Sequence, residues 1–251
     1  MAVAGDGGSS QHRRGSLASA RVQFRTCKIN TVAAREFLPM ENAPPVFDES
    51  FISNFTDLVR WRRDVRRFRS DPVPEPLLCE LFHVASLSPS VGYSQPWRFT
   101  RIQDASRRSR IRENFVTSNR AALATYEGER AALYARLKLS GLDTAPEHIA
   151  VFCDLETTVG HGLGLRTMPE MREYSAVIAC HTLWLASRAH GLGMGWISIL
   201  DPAEVAKILA VPASWRFIAY LCLGYPEEQH LDPELERHGW ERYRQPEILL
   251  R

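Results

Sequence analysis

Three short segments hold the residue types with which this chain could do chemistry. Arg62-Arg63-Asp64-Val65-Arg66-Arg67-Phe68 sets four guanidinium groups around one carboxylate at the expected end of a helix. Arginine presents a rigid fork of N–H donors that matches phosphate oxygens, so this segment could hold a phosphorylated cofactor; it would equally serve as a solvated charged face. Ser88-Pro89-Ser90-Val91-Gly92-Tyr93-Ser94-Gln95-Pro96-Trp97 gathers hydroxyls, an amide and backbone donors in one loop. Such a set suits the polar edge of a flat heterocycle, though an ordinary structured turn has the same composition. Gly193-Met194-Gly195-Trp196-Ile197-Ser198-Ile199 places a hydroxyl among bulky apolar residues of an expected strand. A buried hydroxyl there needs a partner, either a ligand or a backbone carbonyl.

Other chemistries lose their usual signatures. Gly191-Leu192-Gly193-Met194-Gly195 suggests a dinucleotide fingerprint, but Trp196 stands where the last glycine is required. The order is also helix, glycines, strand rather than strand, glycines, helix, which reads as a helix stop and a tight turn. Neither a Gly-x-x-x-x-Gly-Lys-Ser/Thr phosphate loop nor a Gly-x-Ser-x-Gly nucleophile elbow occurs. The eight histidines form no i, i+4 or i, i+2 pair, so a metal site is not expected. The five cysteines are widely spaced without a Cys-x-x-Cys pair, which suggests a reducing cytoplasm.

The elements that must position these segments follow from periodicity. Of the 251 residues, 45% are hydrophobic and 24% charged, and the formal net charge is +2. That balance suits a folded core and gives no reason to expect nucleic acid as a partner. No apolar run approaches the roughly 18 residues of a membrane span, so no membrane partner is expected either. Residues 1–46 read as a basic, Gly- and Ser-rich extension or leader, with Met40 a possible start, and residues 47–251 as the folded domain. Phe51, Phe55, Leu58, Val59 and Arg62 recur at helical spacing, and prolines at 72, 74 and 76 introduce a second helix through Leu77–Ala85. Strands are expected at 97–102, 148–153, 194–199 and 216–223. A long polar helix or helix pair occupies 104–138, and a short helix 202–209. The helix 173–190 is apolar around nearly its whole circumference and should be buried on all sides.

Taken together and in order, the three segments resemble the flavin-binding nitroreductase superfamily, whose members carry an Arg-Arg-Ser-x-Arg-x-Phe start, a Pro-Ser-x-x-Asn-x-Gln-Pro-Trp loop and a Gly-Leu-Gly-x-x-Trp turn. The departures are Asp64 for serine, Tyr93 for asparagine, and Ser198 in the strand after Trp196. With Arg136-Leu137-Lys138-Leu139-x-Gly141 and Leu221-Cys222-Leu223-Gly224-Tyr225, they resemble its flavin-destroying branch, the 5,6-dimethylbenzimidazole synthases, from about residue 51 onward.

The resemblance implies an α+β fold with a central mixed sheet surrounded by helices, and a homodimer with FMN sites at the subunit interface. Enzymes of that branch take reduced FMN as a substrate and use molecular oxygen to fragment it to 5,6-dimethylbenzimidazole and erythrose 4-phosphate. The flavin-contacting residues would be Arg62, Arg63, Asp64, Val65, Arg66, Pro89, Ser90, Trp97, Leu139 and Ser198. Asp64 would be the catalytic base, Ser198 would hydrogen-bond the reactive edge, and the segment 104–145 could act as a lid. A separate flavin reductase could supply the reduced FMN. The alternative within the fold is an NAD(P)H-dependent nitroreductase or flavin reductase, and outside enzymes a flavin-storage protein.

Overall fold

The computed structural model describes residues 44–251, so most of the expected extension 1–46 lies outside the described residues. Three helices begin at an aspartate whose side chain accepts a first-turn N–H that has no partner inside the helix. Asp48 accepts from Phe51 at 2.8 Å and opens α1 (Glu49–Trp61). Asp104 accepts from Arg107 at 2.9 Å and opens α3 (Ala105–Leu123). Asp201 accepts from Ala203 at 2.8 Å and opens α6 (Pro202–Leu209). Pro76, in the first turn of α2 (Glu75–Ser86), sits where its missing N–H costs nothing.

Four strands form one sheet in the order β1-β2-β4-β3: β1 (Trp97–Arg101), β2 (Glu147–Asp154), β3 (Gly193–Ile197) and β4 (Trp215–Gly224). Each pairing is antiparallel, with Trp97 opposite Cys153, Ile149 opposite Leu221 and Gly195 opposite Cys222. The expected mixed sheet is therefore corrected to an antiparallel one. Among the described residues its parallel component is a single bridge between Asp64 and Met194. Residues Ile149–Cys153 are fully buried because helices cover both faces of the central strands. Leu78, Leu81, Leu183, Leu221 and Leu223 fill one side, with α2 and α5 (Met171–Ala189). Phe68, Ile102, Ile111, Ile208 and Tyr220 fill the other, with α3 and α6.

Of the two forms expected for the polar stretch 104–138, the helix pair is found: it divides at residues 124–127 into α3 and α4 (Gly128–Arg136), and Ile111 ties α3 into the core. A further expectation changes. Helix α5 is not buried on all sides: Tyr174, Val177 and Ile178 are 49%, 41% and 40% exposed. Helix α1 likewise carries exposed Phe51, Ile52 and Phe55. No helix among the described residues is long and apolar enough to cross a membrane.

Candidate active site

The arginine segment leaves α1 in extended conformation at Arg62 and runs along the outer edge of β3. Val65 N–H donates to the Met194 carbonyl at 3.1 Å. Further on, Arg69 N–H donates to the Tyr225 carbonyl at 2.8 Å, so the segment joins β3 to the end of β4. Two strand glycines permit the approach. A Cβ on Gly193 would overlap the Val65 side chain, and a Cβ on Gly195 would overlap the Val65 carbonyl oxygen. Residues two apart share a face of a strand, and here that face is covered by Val65, its side chain over Gly193 and its carbonyl over Gly195. Gly191, with φ of +75°, makes the turn out of α5 that the sequence suggested.

Asp64 is fixed from both sides. Its Oδ1 accepts the Trp196 N–H at 2.9 Å, and its Oδ2 accepts Arg66 Nε at 2.8 Å. Burial, the largest influence, raises the carboxyl above its ordinary pKa; Arg66 and the Trp196 N–H pull the other way and do not offset it. Arg66 also donates through Nη1 to the Lys138 carbonyl at 2.8 Å, which brings Leu139 beside the arginine segment. Behind this contact the Phe68 ring occupies the place of a Cβ on Gly141.

The four arginines divide into two kinds. Arg67 is taken up by Glu228 at 2.9 Å and Glu234 at 3.1 Å, and Arg66 by Asp64. Arg62 and Arg63 have no carboxylate partner within 4 Å among the described residues. The Arg62 guanidinium lies 4.5 Å from the centre of the Trp184 ring. Its pKa is lowered by burial first and by the adjacent Arg63 charge second. Arg63 donates to the carbonyls of Leu231 at 2.7 Å and Arg62 at 3.0 Å. Asp64 acts on Arg62 more weakly and in the opposite sense, so two adjacent cations without an ion-pair partner within 4 Å among the described residues are a suitable place for an anion.

The second segment lies elsewhere along α5. The Ser175 hydroxyl accepts the Val91 N–H at 3.1 Å, and the Ser90 hydroxyl accepts the Gln95 N–H at 3.0 Å. The loop is tight: Gly92, Tyr93 and Gln95 all have positive φ, at 55°, 56° and 45°. Pro89 and Tyr93 are exposed, while the Ser94 hydroxyl is buried with no hydrogen-bond partner among the described residues. Ser175 and Trp184 are nine residues apart, or about 13 Å along the helix at 1.5 Å per residue. Within one chain, then, Arg62, Arg63, Asp64, Val65, Arg66 and Leu139 come together, whereas Pro89 and Ser90 stand apart from them. Trp97 is in the core against Cys153, Ala176 and Ala179. Ser198 is not a buried strand hydroxyl, because β3 ends at Ile197 and Ser198 is exposed in the turn after it.

Sequence reasoning missed the Trp196 N–H and the Lys138 carbonyl, since a backbone group has no residue type to read. It also reads the glycines from 191 to 195 as a helix stop and tight turn leading into the expected strand 194–199, and gives Gly193 and Gly195 no part in the site. Their two-residue spacing inside a strand was the available sign of a close backbone approach.

The family model described as the Nitroreductase family matches residues 59–225. A 5,6-dimethylbenzimidazole synthase of Rhodospirillum rubrum is 55% identical over 207 residues, which cover 82% of this chain and 98% of that protein. A second protein of that name, from Rhodobacter capsulatus, is 44% identical over 195 residues, covering 78% and 94%. The crystal structure of oxidized iodotyrosine deiodinase bound to FMN and 3-iodo-L-tyrosine superposes with a TM-score of 0.61 at 25% identity, covering 78% of this chain and 97% of that one. With the antiparallel sheet between helix layers and a family match that runs from the end of α1 to the end of β4, this chain belongs to the nitroreductase family.

Proposed function

We propose that this chain fragments reduced FMN with molecular oxygen, yielding 5,6-dimethylbenzimidazole, the lower ligand of vitamin B12, with erythrose 4-phosphate as another product. The observation that carries the reading is Asp64: a carboxylate stands within an arginine segment where the family commonly has serine, held by Trp196 N–H and Arg66 with its proton affinity raised. The 55% identity to a protein named for this synthesis supports it.

The residues present fit FMN as a substrate. Arg62 and Arg63, neither in an ion pair among the described residues, supply positive charge for its phosphate, and Arg66 and Leu139 flank the same segment. Reduced FMN supplies the electrons that oxygen takes up and the atoms of the benzimidazole. Asp64 takes the proton from the ribityl carbon next to the ring, a task helped by a pKa nearer neutrality than that of a free carboxylate. Ser198, exposed at the end of β3, donates a hydrogen bond to the flavin ring. A separate flavin reductase delivers the substrate already reduced.

The protein acts as a homodimer in this reading. The exposed apolar side chains of α1 and α5 need a cover, and Pro89 and Ser90 of one copy then complete the arginine half-site of the other. The buried, unpartnered Ser94 hydroxyl supports a loop that a second copy or the flavin finishes. Cys153, Cys180 and Cys222 are buried thiols outside any disulfide, in keeping with a cytoplasmic setting.

One absorbance trace tests the reading. Reduced FMN, already colourless, should not regain the oxidised flavin absorbance when it is mixed with the protein in air. Full return of the oxidised flavin spectrum, with NADPH oxidised over many turnovers, would replace this reading with that of an ordinary flavin reductase or nitroreductase.

A further inference from the structure

The chain after β4 contains no residue with a role in the proposed chemistry, yet it makes a closed circuit through the site. It leaves the sheet beside the arginine segment, where Glu227 N–H donates to the Arg67 carbonyl at 3.1 Å. Arg63 Nε then donates to the Leu231 carbonyl at 2.7 Å, and Glu234 pairs with Arg67 at 3.1 Å. After the single turn α7 (Glu234–Arg237), Trp240 N–H returns to the Leu235 carbonyl at 2.8 Å and the indole lies on α4. There the ring stands edge-on to Tyr126 and Tyr134, with centroids 5.5 and 6.0 Å away. The Arg130 guanidinium covers it at 4.6 Å, and Arg130 Nη1 donates to the Trp240 carbonyl at 2.8 Å.

Helix α4 needs such a clasp. Its nine residues are too few for a helix to persist unaided, and Tyr134 is its one buried residue. Immediately after α4 comes Lys138, whose carbonyl receives Arg66. The path therefore runs from Arg63 and Arg67 through the strap to Trp240, across α4, and back to Arg66.

We infer that Trp240 is a positioning residue for the flavin reaction: by fastening α4 to the strap after β4, it keeps residues 137–139 against Arg66 and the flavin pocket closed on that side. The inference rests on the proposed function, in which Arg66 and Leu139 contact flavin. Loss of the indole removes two aromatic contacts and a cation–π contact, and leaves the N-terminal half of α4 tied to the strap by the Arg130 hydrogen bond to the main-chain carbonyl of position 240 alone.

Hydrogen–deuterium exchange on the flavin-free full chain, compared with Trp240→Ala and Trp240→Phe, reads the clasp directly. In Trp240→Ala, amides of 128–139 should exchange on the order of tenfold faster, while β2 and β4 remain protected. Trp240→Phe should restore most of the protection, and anaerobic titration should show reduced FMN bound about fivefold or more weakly by the alanine variant. If Trp240→Ala does not fold, the exposed Arg130→Ala should give the same localised change at roughly a third of the size. Unchanged exchange at 128–139, acceleration spread into β2 and β4, or unaltered FMN affinity beside an opened α4 would each overturn the inference. Exchange on the flavin-free chain reads the clasp, and FMN consumption by the unaltered chain reads the site assignment, so the two fail separately.

Discussion

Replacing Asp64 with asparagine keeps the shape of the side chain and removes one charge. The amide oxygen can still accept the Trp196 N–H, which now sits at 2.9 Å from Oδ1. The other position changes from acceptor to donor, facing Arg66 Nε at 2.8 Å. Losing a charged hydrogen bond costs about 1.5–3 kcal/mol, but Arg66 keeps the Lys138 carbonyl. Against this stands the relief of no longer holding an ionised carboxylate out of water, a quantity of similar size. Because burial outweighs the favourable contacts in raising the Asp64 pKa, the sign at neutral pH favours the variant or leaves it level.

A raised carboxyl pKa means that the folded state binds the proton more tightly than the unfolded one. Its stabilising contribution is complete below the unfolded pKa and is lost as pH rises through the folded value. Asp64→Asn should therefore melt within about 1 kcal/mol of the parent at pH 7, or above it, and lack that slope. Benzimidazole formation should fall by about 100-fold or more, equal to roughly 2.7 kcal/mol in the barrier. The assay is anaerobic loading with photoreduced FMN, mixing with oxygenated buffer and chromatography of the products, beside calorimetry at several pH values. Product formed at the parental rate would refute the base assignment. A loss of about 3 kcal/mol in stability together with lost flavin affinity would make Asp64 a structural partner of Arg66 instead.

Arg62→Ala should weaken FMN binding by about 10- to 100-fold and cost at most about 1 kcal/mol of stability, since its one strong protein contact is the Trp184 face; calorimetric titration beside thermal melting separates the two. Arg62→Lys should recover little affinity, because a point charge does not reproduce the fork. Gly195→Ala should push residues 64–66 off β3, costing about 1–3 kcal/mol and most flavin affinity, with the Val65 amide losing exchange protection. His148, its Nδ1 2.9 Å from the Tyr220 hydroxyl, is held down to about 4 by burial and then by the Arg108 charge. Its neutral form contributes fully above the unfolded value near 6.5, so roughly 3 kcal/mol should be lost between pH 6.5 and 4, a loss that His148→Gln should flatten in melts across that range.

Much of the fold could be read from residue types because the relevant forces are local. Aspartates at 48, 104 and 201 cap the helices they precede, and the uninterrupted apolar run Ile149–Cys153 is what a strand covered on both faces must look like. The expected end of β3 lies two residues too far along the chain. Apolar alternation continues to Ile199, but pairing stops opposite Tyr220, and that is decided by β4. The antiparallel sense of every strand pair was equally out of reach, being set by connections rather than composition. The α5 helix shows a different limit. Its apolar circumference predicts burial on all sides, yet Tyr174, Val177 and Ile178 on one flank are exposed in the single chain, which residue types alone do not reveal. In the site, the arginines and Asp64 could be named in advance; that Arg67 is spent on Glu228 and Glu234 depends on where the chain after β4 returns, and that Arg66 turns to Asp64 depends on how the extended segment lies along β3.

The central claim is that FMN is consumed rather than recycled, and stoichiometry measures it most directly. Photoreduced FMN in known amount is mixed with the protein, air is admitted, and flavin and 5,6-dimethylbenzimidazole are both quantified by chromatography. If FMN is the substrate, each benzimidazole formed should match one FMN lost, with oxidised FMN in air inert. Complete recovery of FMN without benzimidazole would contradict it.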